Sequence, residues 1–183
     1  MPIEITNCVS DMWKHRGNTV DAFGKDQTHT ITYTFNQQGF RSKQDYNWTP
    51  KVALFGCSLV MGIGVDQSMI TSAYFEDCQN YGLAGRYTNQ DILHTIENFV
   101  NSDLYNPATN IAVVWTDRDA EVLEAYYTSL KKLNIIHFFC GPTLNHPQCY
   151  KFISHVDMDA SNTHPGAVTH KTFYKILCSL FNQ

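Results

Sequence analysis

Lys51-Val52-Ala53-Leu54-Phe55-Gly56-Cys57-Ser58-Leu59-Val60-Met61-Gly62-Ile63-Gly64-Val65 is the stretch on which the fold turns. From Val52 to Phe55 it is a short unbroken apolar run behind Pro50, the pattern of a strand buried on both faces of a parallel sheet. A small residue, a hydroxyl and further glycines follow Gly56, so the backbone has to turn where the strand ends. Open parallel sheets bind ligands at the carboxyl ends of their strands, which is the position of Ser58. That serine is a candidate nucleophile; the alternative is a serine that caps the next turn.

Other glycine-rich loops fit the stretch poorly. A phosphate-cradling loop ends in Gly-Lys-Ser/Thr, and no lysine follows Gly56 until well beyond Gly64. A dinucleotide fingerprint needs a third glycine where Gly62-Ile63-Gly64-Val65-Asp66-Gln67 has glutamine. A lipase-type elbow needs glycine on both sides of the serine; Gly56 fits and Val60 does not.

Outward from this stretch the chain alternates. Thr28–Phe35 is rich in β-branched and aromatic residues at period two, an edge strand or hairpin arm, and Asn36–Ser42 reads as a turn returning Phe40 to the core. Residues 1 to about 27 read as a short helix or an irregular lead-in. Ser68–Asp77 predicts a short helix with Met69, Ala73 and Tyr74 along one side, and Cys78–Gly82 a brief strand. Asn89 is expected to cap a helix whose Ile92, Ile96, Phe99 and Val100 recur at helical spacing. Asn110–Thr116 is the clearest buried strand, and the acids from Asp117 to Glu121 open a helix through Leu123, Tyr126, Tyr127 and Leu130. Leu133–Cys140 is the next buried strand, in which His137 reads as a core histidine. An irregular stretch from Thr143 to Asn162 carries His146 and His155, candidates for substrate contact, before a final helix from about Ala167 to Phe181.

The expected architecture is a single three-layer α/β/α domain over residues 1–183, with 1–50 as a lead-in and 51–183 as the core. Its parallel sheet uses strands near 51–56, 78–81, 110–116 and 134–140, joined by right-handed crossovers, with a strand or hairpin appended at the N-terminus. A chain of 183 residues is long enough to bury its own core. A formal net charge of −4 leaves no electrostatic footprint for nucleic acid or an anionic membrane, so neither is expected as a partner. No signal peptide or membrane-length apolar run is visible, which places the expected protein in the cytoplasm. Cys8, Cys57, Cys78, Cys140, Cys149 and Cys178 include no C-x-x-C pair and the histidines no H-E-x-x-H, so neither a zinc site nor a disulfide framework nor any cofactor is expected.

Gly56-Cys57-Ser58, followed by Gly62-Ile63-Gly64-Val65, resembles block I of the SGNH (GDSL-like) hydrolases, in a Gly-Cys-Ser variant similar to a subgroup met in bacterial and phage proteins. Tyr33-Thr34-Phe35-Asn36, continuing to Gly39-Phe40-Arg41-Ser42, resembles the lead-in to that block. Asn80-Tyr81-Gly82-Leu83-Ala84-Gly85 resembles block II and His164-Pro165-Gly166 resembles block V. The resemblance covers roughly residues 28 to 181, with the blocks in family order. It implies hydrolysis of an ester, such as an acylated sugar or lipid-like substrate, with Ser58 as nucleophile and His164 as its base. It also implies an oxyanion hole from the N–H groups of Ser58 and Gly85. Block III departs: its asparagine is replaced by Asp117, whose ionised carboxylate would repel an oxyanion, so that either Asp117 stays protonated, or Arg118 or another group substitutes, or turnover is poor. In block V the family's Asp-x-x-His has Ser161 at the acid's position, leaving Asp159 as the expected orienting acid; Arg118 and Asn162 are the expected binding residues. These departures keep a second expectation open, a catalytically impaired domain that binds a carbohydrate or serves as an accessory protein. A flavodoxin-like nucleotide or flavin binder is a third.

Overall fold

A computed structural model of the chain describes residues 19–21, 30–83, 87–116, 123–140, 150–151, 156–157 and 164–182. The helices are α1 (Ser58–Met61), α2 (Asn89–Val100), α3 (Leu123–Leu130) and α4 (Ala167–Phe181). The strands are β1 (Thr19–Asp21), β2 (Thr30–Thr32), β3 (Val52–Gly56), β4 (Cys78–Gly82), β5 (Asn110–Thr116), β6 (Ile135–Cys140) and β7 (Tyr150–Lys151). Strands β3 to β7 form one all-parallel sheet in the order β4-β3-β5-β6-β7, while β1 and β2 pair antiparallel as a separate ribbon. The four expected strands are present, but β7 adds a fifth inside the stretch from Thr143 to Asn162 expected to be irregular, and β1 falls in the lead-in expected to be a short helix or irregular.

Both faces of the sheet are covered, which makes the domain three-layered. Ala53, Phe55, Ile111, Val113 and Trp115 point to one face and pack with Ile92, Ile96 and Phe99 of α2 and Leu123 and Leu130 of α3. The alternate residues Val52, Leu54, Ala112 and Val114 point to the other face and meet Val60 of α1 and Phe173 and Leu177 of α4. Burial on both sides explains why β3 reads as a continuous apolar run instead of an alternating one. Phe40 and Tyr46 of the lead-in join the first cluster, and Tyr46 stacks on Phe40 and meets Tyr81 edge-on. The turn from Asn36 thus returns Phe40 to the core, closed by the Asn36 N–H donating to the Phe40 carbonyl at 2.9 Å.

Two further local expectations are corrected. The segment expected as a helix over 68–77 is instead a pair of 3₁₀ turns, Gln67–Met69 and Thr71–Tyr74. Met69 is exposed, while Ile70, Thr71 and Ser72 are buried. Short 3₁₀ turns suit a connector whose inward residues are consecutive, because no α-helical stripe could bury all of them. The cap of α2 is Thr88, not Asn89: the Thr88 hydroxyl accepts from the Asp91 N–H and the Asp91 carboxylate accepts from the Thr88 N–H, a closed capping box. Asn89, released from capping, is fully buried and clamps Thr116, donating to its carbonyl at 3.0 Å and accepting its N–H at 2.9 Å.

Topology locates the functional edge. From β3 the chain steps to β4 on one side and then to β5 on the other, so the winding reverses beside the carboxyl end of β3. In open parallel sheets that reversal opens a crevice for ligands. Ser58 begins α1 two residues beyond the end of β3.

Candidate active site

Helix α1 is a single turn held against the sheet by close backbone packing. Gly82, the last residue of β4, lies so near that an added Cβ would stand 2.2 Å from the Met61 nitrogen and 2.6 Å from its Cα. The turn is closed at its far end by Gly62, whose φ of 79° and ψ of 49° lie in the left-handed region that glycine enters without strain. The N–H groups of Gly62 and Ile63 donate to the Ser58 carbonyl at 3.0 and 3.2 Å. Asn80, nearly fully buried on β4, donates from its amide to the Val60 carbonyl at 2.9 Å and accepts the Gly82 N–H at 2.9 Å. As the first helical residue, Ser58 has a backbone N–H with no partner inside the helix.

His164 reaches this turn from 106 residues away in sequence, with its Nε2 3.1 Å from the Ser58 Oγ. That is hydrogen-bond distance between a hydroxyl and the imidazole nitrogen able to take its proton. Both side chains are half-buried.

Asp157 anchors the segment carrying His164. Its carbonyl accepts the Gly166 N–H at 3.0 Å, and its carboxylate accepts the Val168 N–H at 2.9 Å and the Thr169 N–H at 2.7 Å, capping α4 from outside the helix. The Thr169 hydroxyl also donates to that carboxylate at 2.8 Å. Burial pushes the Asp157 carboxyl up, but the donors at Val168 and Thr169 outweigh it and hold the group below the ordinary carboxylate range.

A second buried histidine is committed elsewhere. His170 accepts at Nδ1 from the Thr71 N–H at 3.2 Å and lies 2.9 Å from the Thr71 hydroxyl, tying α4 to the 3₁₀ turn behind α1. Burial, reinforced by the Arg41 charge and opposed by Asp157, pushes its imidazole down to about 4, so it is neutral at physiological pH. His137 is the core histidine expected of it: it is 4 % exposed and accepts the Trp115 indole N–H at 3.1 Å.

Of the residues singled out in the sequence, Ser58 and His164 are brought together. Gly85, Asp117, Arg118, Asp159 and Asn162, together with His146 and His155, lie outside the described residues. Tyr33, Arg41 and Asn80 stand in the quoted motifs without an assigned role, and Asp157 and Thr169 have none in the sequence reading; together they hold the two site segments in place. The signal for Arg41 was present, as the arginine that ends Gly39-Phe40-Arg41. Asp157 had none, since it caps a helix that begins ten residues later. Among the described residues no group of histidine, cysteine and acidic side chains is arranged to hold a metal ion, and Cys78 and Cys178 are in no disulfide.

Fold and site together define a three-layer α/β domain with a serine–histidine pair at the carboxyl edge of its sheet. No protein-family model, curated protein or solved structure matches the chain. No helix among the described residues is long and apolar enough to cross a membrane.

Proposed function

We propose that the protein is a serine hydrolase of the SGNH type acting on a carboxylic ester, with an acylated sugar or lipid-like compound as substrate. The observation that carries this reading is the 3.1 Å contact between the Ser58 Oγ and the His164 Nε2. His164 takes the hydroxyl proton as Oγ attacks the ester carbonyl carbon. The oxyanion that forms is held by the Ser58 N–H at the start of α1 and, in the proposal, by the N–H of Gly85. Collapse breaks the ester C–O bond, the proton on Nε2 passes to the departing alcohol, and the acyl group stays on Ser58. Water, giving a proton to His164, then attacks the acyl carbon; the bond from that carbon to the Ser58 Oγ breaks, His164 returns the proton to Oγ, and the acid is released.

Asp159 is the proposed orienting acid. The other carboxylate of Asp157-Met158-Asp159 is engaged at the start of α4, which supports this choice. Such an acid holds the imidazole tautomer, and its loss in other hydrolases lowers the rate by about 10⁴-fold. Arg118 and Asn162 are proposed to contact substrate, and cytoplasmic location remains part of the proposal. Asp117, standing where an asparagine would donate to the oxyanion, favours the second reading, a catalytically impaired domain that binds a carbohydrate or serves as an accessory protein. Hydrolysis of short p-nitrophenyl esters by the wild type and its loss in Ser58→Ala decides for the enzyme; equal rates decide for the binding domain.

A further inference from the structure

Arg41 is the most deeply buried cation among the described residues, 1 % exposed, and it faces backbone carbonyls instead of a carboxylate. One guanidinium nitrogen donates to the Met61 carbonyl at 3.2 Å and also to the Gly62 carbonyl; the other donates to the Val65 carbonyl at 2.6 Å. The guanidinium carbon sits 4.3 Å from the centre of the Tyr33 ring, and the Tyr33 hydroxyl accepts the Gly64 N–H at 2.7 Å. Burial lowers the Arg41 pKa to about 10, opposed by Tyr33 and Asp66, so the charge persists at neutral pH.

A one-turn helix forms poorly alone, because nucleation fixes several residues for a single hydrogen bond. Its last carbonyls also lack intrahelical partners. Here the two terminal guanidinium nitrogens supply donors to the carbonyls of Met61, Gly62 and Val65, while the buried Nε has no hydrogen-bond partner among the described residues; the fork of donors fits several oxygens at once. Neither side can relax without leaving a desolvated charge, so the carbonyls of Met61, Gly62 and Val65 are pinned by the guanidinium. The pinned segment is tied to the nucleophile itself, since the Gly62 and Ile63 N–H groups donate to the Ser58 carbonyl.

We infer that Arg41, backed by Tyr33, is a positioning residue for Ser58: gripping the Met61–Val65 turn from the N-terminal lead-in, it fixes α1 so that the Ser58 hydroxyl faces His164. This rests on the hydrolase reading for its catalytic consequence and on the clamp alone for its structural one. The test uses Arg41→Lys, which keeps the charge but not the fork, and Tyr33→Phe, which removes the acceptor for Gly64. Far-UV circular dichroism verifies folding. The readouts are kcat and KM on p-nitrophenyl acetate and amide hydrogen exchange at Gly62 and Ile63.

Both variants should exchange faster at these amides and lose kcat by about 10- to 100-fold with KM little changed, as a sub-ångström to ångström misplacement of a reacting group does. Arg41→Met should be worse than Arg41→Lys in both respects. Unchanged exchange overturns the clamp, and faster exchange with unchanged kcat overturns the positioning role. If the wild type itself hydrolyses no ester, the hydrolase reading fails, and the clamp is judged by exchange alone: acceleration sustains it and its absence overturns it.

Discussion

Gly82→Ala tests whether the close seating of α1 on β4 sets the geometry of the site. The new Cβ would stand 2.2 Å from the Met61 nitrogen, 2.6 Å from its Cα and 2.8 Å from the Val60 carbonyl carbon, all backbone atoms with no rotamer to yield. Ordinary contact begins near 3.4 Å, so α1 has to move by about 1 Å (3.4 − 2.2). Overpacking of this kind costs about 1–3 kcal/mol. Ser58 lies on the same single turn, so the displacement passes to its Oγ and opens the 3.1 Å contact with His164 beyond hydrogen-bond reach. A misplacement of that size lowers reactivity by about 100-fold. The assay is the rate of Ser58 phosphonylation by a fluorophosphonate probe, read by mass spectrometry, beside thermal unfolding of the same sample. Slower labelling in a folded protein of reduced stability is expected; wild-type stability together with wild-type labelling would refute the reasoning.

Two further predictions concern pH and the anchoring of α4. Asp157→Ala removes the acceptor for the first N–H groups of α4 and should cost about 1 kcal/mol, about 3 °C in Tm for a chain of this size. Because the folded carboxyl is held below its unfolded value, its contribution is complete above the ordinary carboxylate range and fades as pH falls through the depressed value. The difference in Tm between wild type and variant should therefore shrink in strong acid, and a constant difference contradicts the assignment. His170 has the opposite charge chemistry but the same direction of pH effect. Its folded value near 4 lies below the unfolded 6.5, so the unfolded chain binds the extra proton and stability falls as pH drops from about 6.5 towards 4. Denaturant midpoints at pH 7 and pH 5 should show this loss in the wild type and a smaller one in His170→Gln; equal losses would remove His170 as its source.

Much of this fold is written in short apolar runs. Strands β3, β5 and β6 are legible because burial on both faces demands consecutive apolar residues, a pattern that survives without knowledge of the neighbours. Helices α2 and α4 are legible because each presents one periodic face to the sheet. The connector after α1 is not: Ile70, Thr71 and Ser72 are buried together, and whether such a run is a helix or a pair of 3₁₀ turns depends on what packs above it. Thr88 and Asn89 are both good capping residues, and only the buried partner Thr116 decides which one caps. At the site, Ser58 and His164 could be picked out from their local motifs, but their meeting is a property of the sheet order. Arg41 stands in the quoted lead-in motif, but its partners are backbone carbonyls, and the Asp157 anchor works largely through backbone amides, so neither role has a side-chain pattern that names it. Sequence therefore marks where chemistry is possible more readily than what holds it in place.

The proposed chemistry at this sheet edge depends most directly on Ser58 being a nucleophile activated by His164. Incubating the protein with a fluorophosphonate probe, digesting it and locating the adduct tests this in one measurement. The adduct should fall on Ser58, disappear in Ser58→Ala and form at least about 100-fold more slowly in His164→Ala, the order of rate that a positioned base supplies. An unmodified Ser58 in folded protein, or labelling indifferent to His164, would contradict the account.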